Sequence, residues 1–163
     1  DCAVGILNEY AEKYNDFEND AEFFVDFVDK NQYFEVPFKQ KGLHKKKINY
    51  LTENGYGVQC HTALHPFLGD ENYKSLYNNI RLYDHLVDHN PEYNAIAYPF
   101  GDIPSDDSKM DFIHENFDVA VGAFGNSYGS KALPVDDPKF LRYNIPRIEI
   151  NNNLKNLEKY VLN

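Results

Sequence analysis

Apolar residues along this chain recur in two rhythms, and the rhythms alternate. Residues 3–14, "AVGILNEYAEKY", set Val4, Leu7, Ala11 and Tyr14 at helical spacing, with Asp1 placed to cap that helix. "AEFFVDFV" (21–28) is instead a continuous apolar run of strand length. A second helix is predicted near 43–53, with Leu43, Tyr50 and Leu51 toward the core and Gly55 ready to take a left-handed cap. "YGVQC" (56–60) follows as a strand. Residues 73–88 make the clearest amphipathic helix, with Leu76, Ile80, Tyr83 and Val87 on one stripe. A strand over 93–101, a helix near 107–116 and strands over 118–124 and 145–150 come next. A last helix is expected from Asn153, with Leu154, Leu157 and Val161 sharing a face.

Continuous apolar strands separated by helices belong to parallel sheets covered on both faces. The expectation is therefore one α/β domain over residues 1–163, either an open doubly wound sheet or a (β/α) barrel with members missing. In both, ligands bind at the C-terminal ends of the strands. "HTALH" (61–65) and "YPFGD" (98–102) each follow a predicted strand at that end.

Composition narrows the function classes. At 42% hydrophobic and 26% charged residues, the 163-residue chain has the makings of a folded core. Its formal net charge of −10 argues against nucleic acid, which needs a lysine and arginine footprint. The one basic cluster, "KQKGLHKKK" (39–47), reads as the solvated start of a helix. No apolar stretch approaches the ~20 residues of a membrane span. Thirteen tyrosines and twelve phenylalanines suit a chain whose rings line grooves as well as cores. Cys2 and Cys60 are too few and too far apart for a disulfide framework or a zinc knuckle, and Cys60 reads as a buried small hydrophobe. The chain opens on Asp1 without an initiator methionine, as a cropped or processed product would.

Six histidines raise the question of metal chemistry. His61 and His65 are four apart, a spacing that lets two imidazoles converge on one ion. The competing reading is a pair of polar residues capping the loop. His85 and His89 share the spacing but have no strand feeding them, and read as a solvated face. His44 and His114 fall in no pattern. "GNSYGSKALPVDDPKF" (125–140) reads as a surface loop in which Asp136 and Asp137 form a solvated turn before Pro138, the competing reading being contact with substrate.

"GYGVQCHTALHPFL" (55–68) resembles the second motif of the polysaccharide deacetylases, the NodB-homology or carbohydrate esterase family 4. "AEFFV" (21–25), "AYPFGD" (97–102) and "IPRI" (145–148) resemble further segments of that family in the same order, over nearly the whole chain. The resemblance implies a NodB-type irregular (β/α) barrel, here lacking its opening strand. It also implies a metal-dependent hydrolase that removes acetyl groups from an acetylated polysaccharide or peptidoglycan-type glycan, in the cell envelope or secreted. A divalent ion, usually zinc, would then be held by His61 and His65 with an aspartate, and a second aspartate would act as general base. The backbone N–H of Phe100 would stabilise the oxyanion, and Thr62 would fix the histidine loop by hydrogen bonding. Tyr98, Pro99, Gly101 and Asp102 would meet the substrate, with Tyr128 a further groove candidate. The family's Asp-Asp motif has no counterpart after Asp1, and Ala97 stands where the family carries an arginine. A catalytically incomplete carbohydrate-binding module on the same fold is the alternative.

Overall fold

Four short strands lie side by side and parallel, in the spatial order β1-β2-β3-β4 that is also their order in the chain. They are β1 (Glu22–Val25), β2 (Gly57–Cys60), β3 (Ala95–Ala97) and β4 (Val119–Val121). The computed structural model describes residues 2–16, 21–28, 42–88, 94–122 and 133–147. Helix α1 (Ala3–Lys13) precedes the sheet, and α2 (His44–Glu53), α3 (Tyr73–Leu86) and α4 (Asp107–Asn116) come before β2, β3 and β4. An order that never doubles back is the winding of a β/α barrel, whereas a doubly wound sheet reverses at a switch point. The described strands form an open sheet. Ile145 continues the progression by a parallel bridge to Val121. The rest of that predicted strand and the helix expected from Asn153 lie outside the described residues.

The core runs through the sheet. Val25, Val58, Cys60, Ile96 and Ala120 are buried on the strands, between Ile48 and Leu51 of α2, Leu76, Ile80 and Tyr83 of α3, and Phe112 and Ile113 of α4. Leu43 and Tyr50, expected in this core, are exposed instead. The reason is angular: α2 buries the Ile48–Leu51 stripe, and Tyr50, two positions from Ile48, falls on the opposite side of the helix. Helix α1 only leans on the core through the half-buried Val4 and Leu7. Its N-cap is Cys2, and Asp1 lies outside the described residues.

Strand β2 pairs with β3 only at Cys60 and Ile96, so the backbone below that point needs other partners. Gln59 supplies them. Its Oε1 accepts from the Asn94 and Ala95 N–H groups at 3.0 Å each, and its Nε2 donates to Glu22 at 2.7 Å. The result stitches β2 to the N-terminal ends of β1 and β3. Their C-terminal ends, with β2 held to α3 by the Tyr83 hydroxyl on the Gln59 carbonyl at 2.6 Å, are left to carry chemistry.

Candidate metal centre

Strand register builds the site. Val25 pairs with Cys60, so the next residues, Asp26 and His61, leave the sheet side by side. Hydrogen bonding continues past the strand ends: His61 N donates to the Val25 carbonyl at 3.1 Å and Phe27 N to the Ala63 carbonyl at 3.1 Å. Asp26 is thus clamped between two links to the histidine segment. On the other side, Cys60 pairs with Ile96, which brings the next carbonyl, that of Ala97, against the His61 ring. His61 Nδ1 lies 2.7 Å from that carbonyl. A carbonyl only accepts, so Nδ1 carries the proton and Nε2 is left with its lone pair outward.

That lone pair meets His65, whose Nε2 is 3.1 Å from His61 Nε2. Ligand atoms of Asp26, His61 and His65 all lie within 4.8 Å of one another. Two nitrogens at zinc–imidazole distance with a tetrahedral angle stand roughly 3.3 Å apart. The spacing here fits such an ion, and two neutral nitrogens with a carboxylate are the donors that zinc and its neighbours use. Among the described residues this is the one group of histidine, cysteine and acidic side chains with that geometry.

The turn that aims His65 is under strain. Thr62 and His65 both sit at positive φ, 63° and 49°, as does Phe100 at 55°. Such conformations cost on the order of 1–3 kcal/mol each in non-glycine residues, and they persist where neighbours over-determine them. Here Thr62 Oγ1 accepts from His65 N at 3.0 Å, as expected of that threonine. Asn79 of α3 accepts the Ala63 and Leu64 N–H groups at 2.8 and 3.1 Å.

Electrostatics favour neutral imidazoles. Burial pushes His61 down to about 4, against the pull of its bond to Ala97, and the charges of His65 and Arg147 add to the lowering. His65 is also lowered, again by burial first, with Asp26 opposing. Burial raises the Asp26 carboxyl, with His65 and the Val28 backbone acting the other way. Arg147 reaches the site from the Ile145 segment, donating from Nε to the Gly122 carbonyl at 2.9 Å and from Nη2 to the Tyr98 carbonyl at 3.3 Å.

The "YPFGD" residues divide. Pro99–Gly101 form a 3-10 turn. The exposed Phe100 ring stacks on Phe67 with centroids 4.1 Å apart and meets His65 edge-on at 4.5 Å. Its N–H has no acceptor among the described residues. Tyr98 and Pro99, expected to line a groove, lie beneath the site instead: both are buried, and the Tyr98 hydroxyl reaches the Tyr143 carbonyl at 3.2 Å. Gly101 is buried at φ 68° and shapes the turn. Asp102 accepts from Gly69 N at 2.6 Å and pins the next loop. Tyr128 and His89 lie outside the described residues, as does the stretch 125–132. Asp137 makes the expected turn, accepting from Lys139 N.

Asp26 is the residue that sequence reasoning missed. It sits inside "FFVDFV", where one acidic residue looks like an interruption of a buried strand. The signal was the strand end: β1 stops at Val25, and the residue after the last paired position is the one that faces the ligand side.

A solved structure of the Bc1960 peptidoglycan N-acetylglucosamine deacetylase, in complex with 4-naphthalen-1-yl-N-oxidanyl-benzamide, superposes with a TM-score of 0.50. The chain shares its fold with a peptidoglycan deacetylase. Identity is 17%, over 72% of this chain and 49% of that one, so this chain spans about half its length. The Streptococcus pyogenes deacetylase PplD, in complex with acetate, aligns at 21% identity over 71% of this chain and 49% of its own, with a TM-score of 0.49. No family model and no curated protein matches the sequence. Among the described residues no helix is long and apolar enough to cross a membrane.

Proposed function

We propose that this chain, as a single domain, carries the centre of a metal-dependent deacetylase that hydrolyses acetyl groups from an acetylated polysaccharide or peptidoglycan-type glycan. The observation that supports it is the convergence of Asp26, His61 and His65 from two adjacent strand ends. A divalent cation, with zinc the expected one, held by the two Nε2 atoms and the carboxylate would lower the pKa of water and polarise an acetyl carbonyl.

The remaining work falls to the chain itself. Ala97 fixes the His61 tautomer, and burial keeps the ring uncharged, so its lone pair is free at neutral pH. Phe100 offers a backbone N–H to the oxygen on which negative charge develops. That role survives the phenylalanine side chain, because the donor is main-chain. The stacked Phe67 and Phe100 rings give an apolar wall beside His65 on which an acetyl methyl can rest. Arg147 places a positive charge near both imidazoles, which opposes their protonation and favours an anionic intermediate. Hydrolysis transfers the acetyl group to water, releasing acetate and the sugar amine or hydroxyl.

The test is acetate release from acetylated glycan by the metal-stripped chain, before and after zinc is added back. Activity is expected only with metal, and His61→Ala, His65→Ala and Asp26→Ala should each lower it on the order of a hundredfold or more. Undiminished turnover in those variants, or none with any divalent ion, contradicts the reading.

A further inference from the structure

Beside the histidine loop lies a cavity of about 510 Å³, within the roughly 300–1,000 Å³ of small-molecule sites. Val28, Leu64, Pro66 and Phe67 form its apolar wall, and Asp70 and Glu71 bring the only charges to its lining. Neither carboxylate has a hydrogen bond or an ion pair among the described residues. The cation under this turn is committed elsewhere. Lys109 of α4, itself buried, donates to the carbonyls of Leu68, Gly69 and Glu71 at 3.1, 3.1 and 2.7 Å, which uses all three of its donors. Those bonds, with Asp102 accepting from Gly69 N, fix the backbone that presents the two carboxylates.

We infer that this cavity takes an aliphatic primary amine, the lysine-type side chain of a peptide, and so selects a peptide-bearing form of the glycan. The selection rests on the proposed deacetylase reading; the amine site does not. Charge decides the class of ligand. Filling the cavity takes water from two carboxylates, and a neutral ligand gives nothing back for that loss. An ammonium restores an opposite charge and has three donors to share between them. The wall decides the stem. A run of methylenes packs along Leu64, Pro66 and Phe67, while the charged head keeps contact with water beside the exposed Asp70 and the half-buried Glu71. An amino sugar carries its ammonium directly on a hydroxylated ring and has no such stem. Phe67 ties the cavity to the metal centre, because it lines the one and stacks on Phe100 beside His65 in the other. A peptide seated here would hold its attached glycan next to the histidines.

Titration of the full chain with Nα-acetyl-lysine amide, its Nε-acetylated counterpart and glucosamine, followed by NMR chemical shifts, tests the site. Wild type should bind the lysine amide on the order of tenfold more tightly than either of the others, and the margin should shrink as salt is raised. Asp70→Asn with Glu71→Gln keeps the shape of the lining and removes both charges, so the margin should disappear. Ser75→Tyr, which narrows the cavity from α3, should weaken the lysine amide likewise and carries the test if the double variant fails to fold. Equal affinity of wild type for the lysine amide and its acetylated counterpart overturns the site, as does a margin that survives both variants. Glucosamine bound as tightly as the lysine amide overturns it too, and gives the carboxylates to an amino sugar instead. A lysine preference that behaves as expected, without acetate release from any glycan, upholds the amine site and sinks the deacetylase reading. Metal-dependent acetate release without the preference does the reverse. Where both hold, kcat/KM for acetate release should be on the order of tenfold higher on lysine-bearing peptidoglycan fragments than on bare N-acetylglucosamine tetramer, and equal in the double variant. Equal values in wild type overturn the selection.

Discussion

Asp26 is held in a place that does not suit a carboxylate. Burial raises its pKa above the ordinary value near 3.8, so the folded state is penalised for the charge that a metal site would use. Asp26→Asn should therefore stabilise the metal-free chain at neutral pH, seen as a higher Tm. The gain should vanish below about pH 3.8, where the carboxyl is neutral folded and unfolded alike. A stabilising change that removes function is the usual mark of a site residue. His61 shifts with the opposite sign on the pH axis. Its folded value near 4 lies below the ordinary 6.5, so between those values the unfolded chain binds the extra proton. Stability from this group is present above pH 6.5 and is lost as pH falls toward 4. Chemical denaturation across that range should show the slope in the metal-free chain and a flatter one in His61→Gln. At this scale the two histidines were legible because spacing and resemblance agreed. Asp26 was not, because its neighbours Val25 and Phe27 are core residues and the strand's end cannot be read from their hydrophobicity. Tyr98 misled in the other direction: a tyrosine in a motif looks like a ligand contact, yet this one spends its hydroxyl on a backbone carbonyl.

At the level of elements, helices set the loops that set the residues. Asn79 of α3 caps the histidine turn, and Lys109 of α4 fills a ring of three carbonyls under residues 68–71. An ammonium has three donors, and here each has its acceptor. Lys109→Met leaves three carbonyls short of a donor in a buried place. We expect a loss of about 3 kcal/mol, with the melting point down on the order of 10 °C. Proteolysis or hydrogen exchange should find the 67–71 turn loosened before the sheet. An unchanged melting point would mean that water replaces the ammonium at no cost. Helix α3 was readable because its stripe is long and regular, from Leu76 through Tyr83. The face of α2 was misread at Leu43 and Tyr50, since a short helix with three consecutive lysines offers little apolar periodicity to fix its rotation. The strands were found but drawn too long. Pro99 ends β3 by starting a turn, and the buried Phe27 that follows β1 imitates strand in its composition.

Over the whole molecule, parallel strands in chain order place every C-terminal strand end on one side. Asp26, His61 and the Ala97 carbonyl arrive there from three successive strands, and Arg147 from the segment that bridges to β4, far apart in sequence but brought together by the sheet. Alternating apolar runs and amphipathic helices made that parallel arrangement legible. Which strand follows which was not, because hydrophobic pattern carries no information on neighbours. The decisive measurement is zinc titration of the metal-free chain by calorimetry, beside Asp26→Ala. The account predicts one ion per chain, bound on the order of a hundredfold more weakly once the carboxylate is gone. Wild-type affinity in Asp26→Ala, or no uptake by the unaltered chain, would contradict it.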